Sequence, residues 1–521
     1  MNNYYKITVI LILILIVYLY FLFKTSKLYY PKLPENFKAK TTDFDKLKKI
    51  TIDRINSIEK KSTIFTPYNH ENMRTCKNAI INSSNYSELV TAFLLTPNNS
   101  IDTYPIYPIK NIDDTIIFQF EQGVLGWYWG YAVFPEQNNN FGTVMYYIMR
   151  NDLGTKELRE KYNLNIGETT VYTISIGVGL GKGQWYFNPA PIICPGTYEV
   201  SNKTNFTLEC STDILPKFIL KNDNDKLTLE FEYNDKKLNF GSNTIFIKTN
   251  KARINGPNGC APCLSGTGTL YWSYTQLNSS SIININDKSY NFKNGDGWLD
   301  HQWGRSKLPL KPLHRLSINV INMFKLTGKL GRYVWINLHL PNNIQYMVFC
   351  FPNENNMIKV NNTYEAIYNV YSNDKSKLLQ KGNITFDYIT KYNYDGNEIL
   401  FPTKIIITVY DMNNNKHIYK IDTDNYGNTI TIDLTGNPHW SGGVIIKENN
   451  NKIGTGFLEL NQFENKEKYL NRTLKIANIN SNDYKKEKLS LLKALPSIII
   501  LIIPLLLIIS IIILIIFGIK N

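Results

Sequence analysis

The sequence predicts an all-β protein: a tandem pair of antiparallel β-barrels or sandwiches, with a transmembrane helix at each end. Three observations carry this expectation. Short runs rich in Ile, Val, Tyr, Phe and Trp recur at near-regular spacing from Thr115 to Phe463, parted by Asn, Asp and Gly clusters. They fall into two near-equal halves about a junction, Gly295 to Gly304, that holds two tryptophans, two carboxylates and a histidine. Both ends of the chain are long apolar stretches.

Composition supports large packed cores. Hydrophobic residues make up 43% of the 521 residues and aromatics 13%, which argues against global disorder. The formal charge of +14 comes from scattered lysines, with no arginine-rich run and no basic-aromatic stripe, so nucleic acid is not an expected partner. The six cysteines are too few for a disulfide-built scaffold of this size. Cys194 and Cys210 are placed to close a local loop. Cys260-Ala-Pro-Cys263 has redox spacing but lies in a Gly/Pro-rich loop before a strand, and no second pair completes a zinc site.

Taken in order, residues 1–27 read as an N-terminal transmembrane anchor, with a signal peptide as the alternative: the apolar run Ile7 to Phe23 is followed by Lys24-Thr25-Ser26-Lys27 and no small-residue cleavage site. Residues 28–108 read as a stalk or entry segment. In it Phe44, Leu47, Ile50, Ile55 and Ile58 mark an amphipathic helix capped at Thr42 or Asp43. Residues 109–310 form the first barrel, from strands such as Thr115 to Glu121, Gly126 to Phe134 and Phe141 to Arg150. Residues 311–480 form the second, from Leu316 to Val320 through Gly331 to Leu340 and on to Gly456 to Phe463. Residues 481–494 are a basic linker, and 495–521 a C-terminal transmembrane helix over Leu495 to Phe517, mostly Ile and Leu around Pro504.

The membrane side of the middle stays open. Lysines flank the inner ends of both spans, which places the middle in the cytosol. Sequons at Asn82, Asn85, Asn98, Asn202, Asn205, Asn278, Asn361, Asn383 and Asn471 argue for the opposite side.

The junction reads Gly297-Trp298-Leu299-Asp300-His301-Gln302-Trp303-Gly304, with Tyr271-Trp272-Ser273-Tyr274 leading into it. Further on come His439-Trp440-Ser441-Gly442-Gly443-Val444 and Gly454-Thr455-Gly456-Phe457-Leu458-Glu459-Leu460. Together these resemble the signatures of the AttH-like family, which includes the carotenoid hydratases (hydroxyneurosporene synthases) and to which lipocalin-like pericyclases are related. The resemblance covers about Thr115 to Phe463. It implies two lipocalin-like barrels in tandem and an apolar ligand or substrate. The chain departs from the pattern at Ser441, where a carboxylate is expected, and at Phe457 and Phe463, where tyrosines are usual.

Protonating an alkene carbon needs an acid, and a carboxyl buried among apolar groups keeps its proton near neutral pH. Asp300 between Trp298 and Trp303 fits that role; the tryptophan faces would stabilise cationic charge and His301 would relay a proton. Strand alternation sets Trp298, Asp300 and Gln302 on one side and Leu299, His301 and Trp303 on the other, so Asp300 and His301 share a cavity only across a bulge. The alternative is structural: the tryptophans pack between barrels, and Asp300 and His301 bond to backbone or Arg305.

Trp127, Trp129, Trp272 and Trp440 are candidate ligand walls, with His439-Trp440 sealing a barrel end. Glu459 is either barrel-lining or solvent-facing. The alternating Gly177, Gly179, Gly181 and Gly183 precede no helix, so they suit a tight bend or ligand portal rather than a phosphate loop. Protease, hydrolase and NTPase signatures are absent, and no metal or cofactor is expected. The expected function is a membrane-anchored, lipocalin-like binder of an apolar lipid or terpenoid-like molecule, with hydration, isomerisation or cyclisation as its chemistry. Membrane lipids and the apolar molecule are its partners. The alternative is a non-catalytic membrane or envelope scaffold.

Overall fold

The computed structural model describes residues 3–23, 37–38, 42–61, 67–96, 126–307, 332–464 and 506–513, less a few positions inside the longer blocks. Alternation builds its strands. In Lys226–Asn234, Leu227, Leu229 and Phe231 are buried while the residues between them are not. That period of two turns one face inward, and each fully buried apolar side chain contributes about 1.5–3 kcal/mol.

Two sheets result, both antiparallel. In the second, eight strands form a closed barrel: Tyr333–Leu340, Ile344–Cys350, Thr363–Ser372, Lys375–Tyr394, Asn397–Tyr410, Lys416–Asp422, Pro438–Glu448 and Asn451–Asn461. Tyr333–Leu340 pairs with Asn451–Asn461, and Lys416–Asp422 with Pro438–Glu448, which completes the ring. Val334, Ile336, Leu338, Val348, Ile407 and Leu458 fill its interior.

The first sheet runs Thr197–Val200, Phe206–Thr212, Leu215–Asn222, Lys226–Asn234, Asn239–Lys248, Thr267–Ile285, Lys288–Lys307, Gly126–Gln137, Asn140–Asp152, Thr170–Gly181, Gln184–Phe187. It stays an open, uncurled half-barrel of eleven strands. The expected pair of closed lipocalin-like barrels is therefore corrected to one barrel and one half-barrel. The physical reason lies at the edge. Gln184–Phe187 is four residues long and its pairing slips between Gly179 and Gly181, so it offers no ladder for the far edge to close on. The strands expected at Thr115 to Glu121 and Leu316 to Val320 lie outside the described residues.

Helices Phe44–Lys61, Pro67–Asn82, Tyr86–Leu94 and Lys156–Tyr162 cover part of the half-barrel. Leu47, Ile50 and Ile55 are fully buried in a cluster with Leu153, Val171 and Ile193 of the half-barrel segment. Asp152 fastens this layer. It pairs with Arg159 at 2.7 Å, accepts from Thr169 Oγ1 at 2.6 Å, and its backbone carbonyl accepts from Arg54. Removing one partner of such a buried pair leaves an uncompensated charge.

The membrane expectation is also corrected. Among the described residues, no helix is long and apolar enough to cross a membrane. Residues 3 to 23 follow a helix, Asn3–Phe23, whose side chains are described over 6–17. Of Leu495 to Phe517, 506–513 is described, as helix, and the rest lies outside the described residues. The anchors, the membrane-lipid partner and the membrane localisation are not retained.

Cys194 and Cys210 form a disulfide, whereas Cys76 and Cys350 are buried thiols whose pKa that burial pushes up to about 12. The bridge joins positions 16 residues apart. A loop of that size removes about 3 kcal/mol of unfolded-state entropy. The double change Cys194→Ala with Cys210→Ala should destabilise the half-barrel by about that amount, read as a lower urea midpoint at unchanged slope. An unchanged midpoint would refute the assignment.

Candidate functional site

The chemistry-bearing residues gather in the seam where the half-barrel lies against the outside of the closed barrel. Lys288–Lys307 lies between Thr267–Ile285 and Gly126–Gln137. From Leu299 to Trp303 its pairing runs without a bulge, so alternation is strict. Leu299 and His301 face the half-barrel core, while Trp298 and Asp300 face the closed barrel. The glycines of the junction serve close approach: a Cβ on Gly297 would meet Ser279 Oγ at 2.6 Å and the Phe246 ring at 2.8 Å. Opposite stand Trp335, Asn337 and His339, the outward residues of Tyr333–Leu340, and Met347. Trp129, Tyr131, Tyr271, Trp298, Trp335, Met347, Tyr371 and Phe457 all belong to one buried cluster.

Asp300 is buried in this seam. Its Oδ2 accepts from Tyr271 OH at 2.6 Å, and its Oδ1 accepts from Ser273 Oγ and Trp298 Nε1. Burial pushes its pKa up to about 7, against the pull of the three donors; the charge of Glu459 pushes the same way. Tyr271 also reaches Met347 Sδ at 3.3 Å. When Asp300 is ionised, Tyr271 donates to it. When Asp300 is neutral, its O–H donates to Tyr271, whose own proton then points to Met347.

His301 sits on the other face, with no exposure. Its ring stacks on Tyr128 at 4.0 Å and meets Trp272 edge-on at 5.3 Å, and Nδ1 lies 3.2 Å from the Trp127 carbonyl. Burial lowers its pKa to about 3, so it stays neutral. It does not meet Asp300.

A polar chain crosses the seam from Asp300. Asn255 Nδ2 donates to Ser273 Oγ, Tyr371 OH donates to Asn255 Oδ1, and Asn369 Nδ2 donates to Tyr371 OH at 2.9 Å. Asn369 Oδ1 in turn accepts from the backbone N–H of Leu379 at 2.8 Å. Leu379 holds a left-handed φ of 52°, an unfavourable conformation for its type. It helps line a small pocket, partly open to solvent, with Asn255, Met347, Phe349, Phe351, Ile367 and Asn369. Beside this chain, Tyr131 OH donates to Asn337 Oδ1 and lies 3.0 Å from His339 Nε2.

The remaining sequence-predicted residues scatter. Trp127 and Trp129 flank the seam, Trp127 half-buried and Trp129 buried. Trp272 lies in the half-barrel core. Trp440 lies inside the closed barrel, donating to Tyr392 OH at 2.8 Å. Glu459 neither lines a barrel nor faces solvent: it is buried on the outer face of the closed barrel, with Oε1 2.7 Å from Tyr333 OH and 3.2 Å from His439 Nδ1. The side chains of Trp303 and Arg305 lie outside the described residues. Of the sequons, Asn82, Asn85, Asn278, Asn361 and Asn383 are exposed and Asn205 is half-buried; Asn98, Asn202 and Asn471 lie outside the described residues. Among the described residues, no group of acidic, His or Cys side chains is arranged to hold a metal ion.

Sequence reasoning missed Asn255, Trp335, Asn337, His339, Met347 and Tyr371. Their signal was there: Trp335-Ile336-Asn337-Leu338-His339 alternates strictly. Such alternation reads as a solvent face, whereas here the second face packs on another sheet.

Residues 215–463 match the model of the AttH-like family. That stretch is an AttH-like domain. It spans the closed barrel and the strands of the half-barrel that carry Tyr271, Ser273 and Asp300. Among solved structures, the chain is similar to an AttH-named protein of Nitrosomonas europaea, at 14% identity and a TM-score of 0.46, over 69% of this chain and 99% of that one. It is also similar to kievitone hydratase of Nectria haematococca, at 13% identity and a TM-score of 0.42, over 70% and 94%. Both scores lie below the level at which shared shape supports a functional argument. No curated protein matches the chain.

Asp300 ties stability to pH. Its folded pKa of about 7 exceeds the ordinary value of 3.8, so the unfolded chain releases this proton first. The group weighs nothing against folding below about pH 4, and its cost grows as pH rises to 7, to on the order of 4 kcal/mol. Asp300→Asn should therefore gain stability relative to the parent between pH 4.5 and pH 8 in urea melts. A pH-independent difference would mean that the carboxyl titrates normally.

Proposed function

We propose that the AttH-like domain binds an apolar small molecule in the seam, and that Asp300 serves as a proton donor to it through Tyr271. One observation carries this reading. Met347 and Asn255, which line the pocket, are the residues that touch Tyr271 and Ser273, the two hydroxyls that hold Asp300. The acid thus stands one side chain behind a wall that is otherwise Phe349, Phe351, Ile367 and Leu379. A mostly apolar pocket with a few convergent polar groups and a perturbed carboxyl is the usual form of a ligand site.

The parts have separate roles. Trp298 and Ser273 donate to Oδ1 and orient the carboxyl; Tyr271, kept protonated by burial and the neighbouring Asp300 charge, carries the proton outward. Trp298 and Trp335, with ring centres 5.9 Å apart, offer π-faces to any cationic charge that forms. The finer likeness of Gly297 to Gly304 to the carotenoid-hydratase branch favours an unsaturated ligand, whose double bond accepts a proton. His301 stands outside this scheme as a packed neutral ring.

A second reading makes Asp300 a polar knot that fixes how the two sheets dock. It is favoured by the fact that both carboxyl oxygens already have partners. The two readings separate on titration with N-phenyl-1-naphthylamine, a neutral apolar fluorophore. The ligand reading expects saturable binding that weakens at least about tenfold in Met347→Trp, which fills the pocket. Absence of binding to the parent protein, or equal binding to the variant, would leave the knot.

A further inference from the structure

Among the described residues, every non-glycine residue with a left-handed φ is an asparagine, except Leu379 at 52°. Asparagine tolerates that region because its short polar side chain bonds locally. Leucine has no such bond to make, and its Cβ crowds the following carbonyl oxygen. A residue held in so unfavourable a place persists only where its surroundings fix it, and such places gather at ligand clamps and active sites.

The surroundings of Leu379 do fix it. Between Thr363–Ser372 and Lys375–Tyr394, Tyr368 pairs with Gln380 and Val370 with Lys377, so Asn369 alone stands against both Leu378 and Leu379. This is a β-bulge, a device that re-aims a side chain. In a regular strand, successive residues face opposite sides. Here Leu378 packs on the aromatic cluster of the seam, and Leu379 lines the pocket beside it; Met347 belongs to both. Side chains meet the backbone groups that the bulge frees. Leu379 N–H donates to Asn369 Oδ1 at 2.8 Å, and the Leu378 carbonyl accepts from Gln380 Nε2 at 2.8 Å. The rest of the wall is regular: Met347, Phe349 and Ile367 stand on paired strands of the closed barrel, and the Phe349 and Phe351 rings stack at 6.1 Å.

We infer that Leu379 is the specificity-determining residue of this pocket. Its half-buried side chain, held there by the bulge, limits the width of the guest, so that a slender apolar end enters and a branched one does not. This rests on the reading that the seam accepts an apolar ligand, and it specifies the shape of the part that enters. The backbone at 379 is less stable than asparagine or glycine would make it, and the gain is a wall of the right width.

The test has two readouts, both on the full chain. In urea melts without ligand, Leu379→Asn should match or exceed the midpoint of the parent, since asparagine accepts the left-handed φ; a leucine kept for packing alone would give a lower midpoint. In displacement of N-phenyl-1-naphthylamine, the parent should bind toluene at least about tenfold more tightly than tert-butylbenzene, although transfer from water alone favours the larger compound by about fiftyfold. Leu379→Gly should reverse that order. Leu379→Asn, shorter than leucine, should erase the preference for toluene, and decides the matter should the glycine variant fail to fold. A lowered midpoint, a parent that prefers tert-butylbenzene, or an order that the variants leave unchanged would overturn the role of Leu379 and leave the apolar-ligand reading standing. Absence of probe binding to the parent would overturn both.

Discussion

The structure depends on the cost of taking one carboxyl group out of water. Asp300 sits between two sheets, where a bare carboxylate is strongly disfavoured. Three side-chain donors offset part of that cost, and they come from the strand of Asp300 itself and its neighbour. Their balance leaves the group near neutrality rather than at either extreme. The same three donors fix where Tyr271, Ser273 and Trp298 stand, and through Asn255 and Tyr371 they extend to the closed barrel. Docking of the sheets, position of the pocket wall and protonation state are thus set together.

Much of the junction was legible because a strand has so few choices. Alternation alone separated Asp300 from His301, and the unbroken pairing from Leu299 to Trp303 keeps them apart. The enclosure of Asp300 followed from its aromatic neighbours. What could not be read was which of two faces a strand turns inward once both are covered. Glu459 showed this: solvent and barrel interior were the two options considered, and it took neither. Non-closure of the first sheet was equally hidden, since it turns on a short edge strand and a register slip rather than on composition. Long apolar termini suggest anchors on hydropathy alone, yet among the described residues no helix is long and apolar enough to cross a membrane.

The seam also joins regions of unlike polarity. Around Asp300 every oxygen has a donor, as expected of a group whose failure to pair would unfold the contact. Elsewhere Ser441 Oγ and Trp129 Nε1 are buried donors with no hydrogen-bond partner among the described residues.

One feature of the architecture sets how the molecule yields. A ring of eight strands cannot flatten without parting a whole ladder of backbone bonds, whereas a sheet with free margins changes its coil at little expense. The two walls of the seam therefore differ in stiffness. Any widening that admits a guest falls to the margin-bearing wall, pivoting on a partner that acts as an anvil, so that deformation is one-sided by construction.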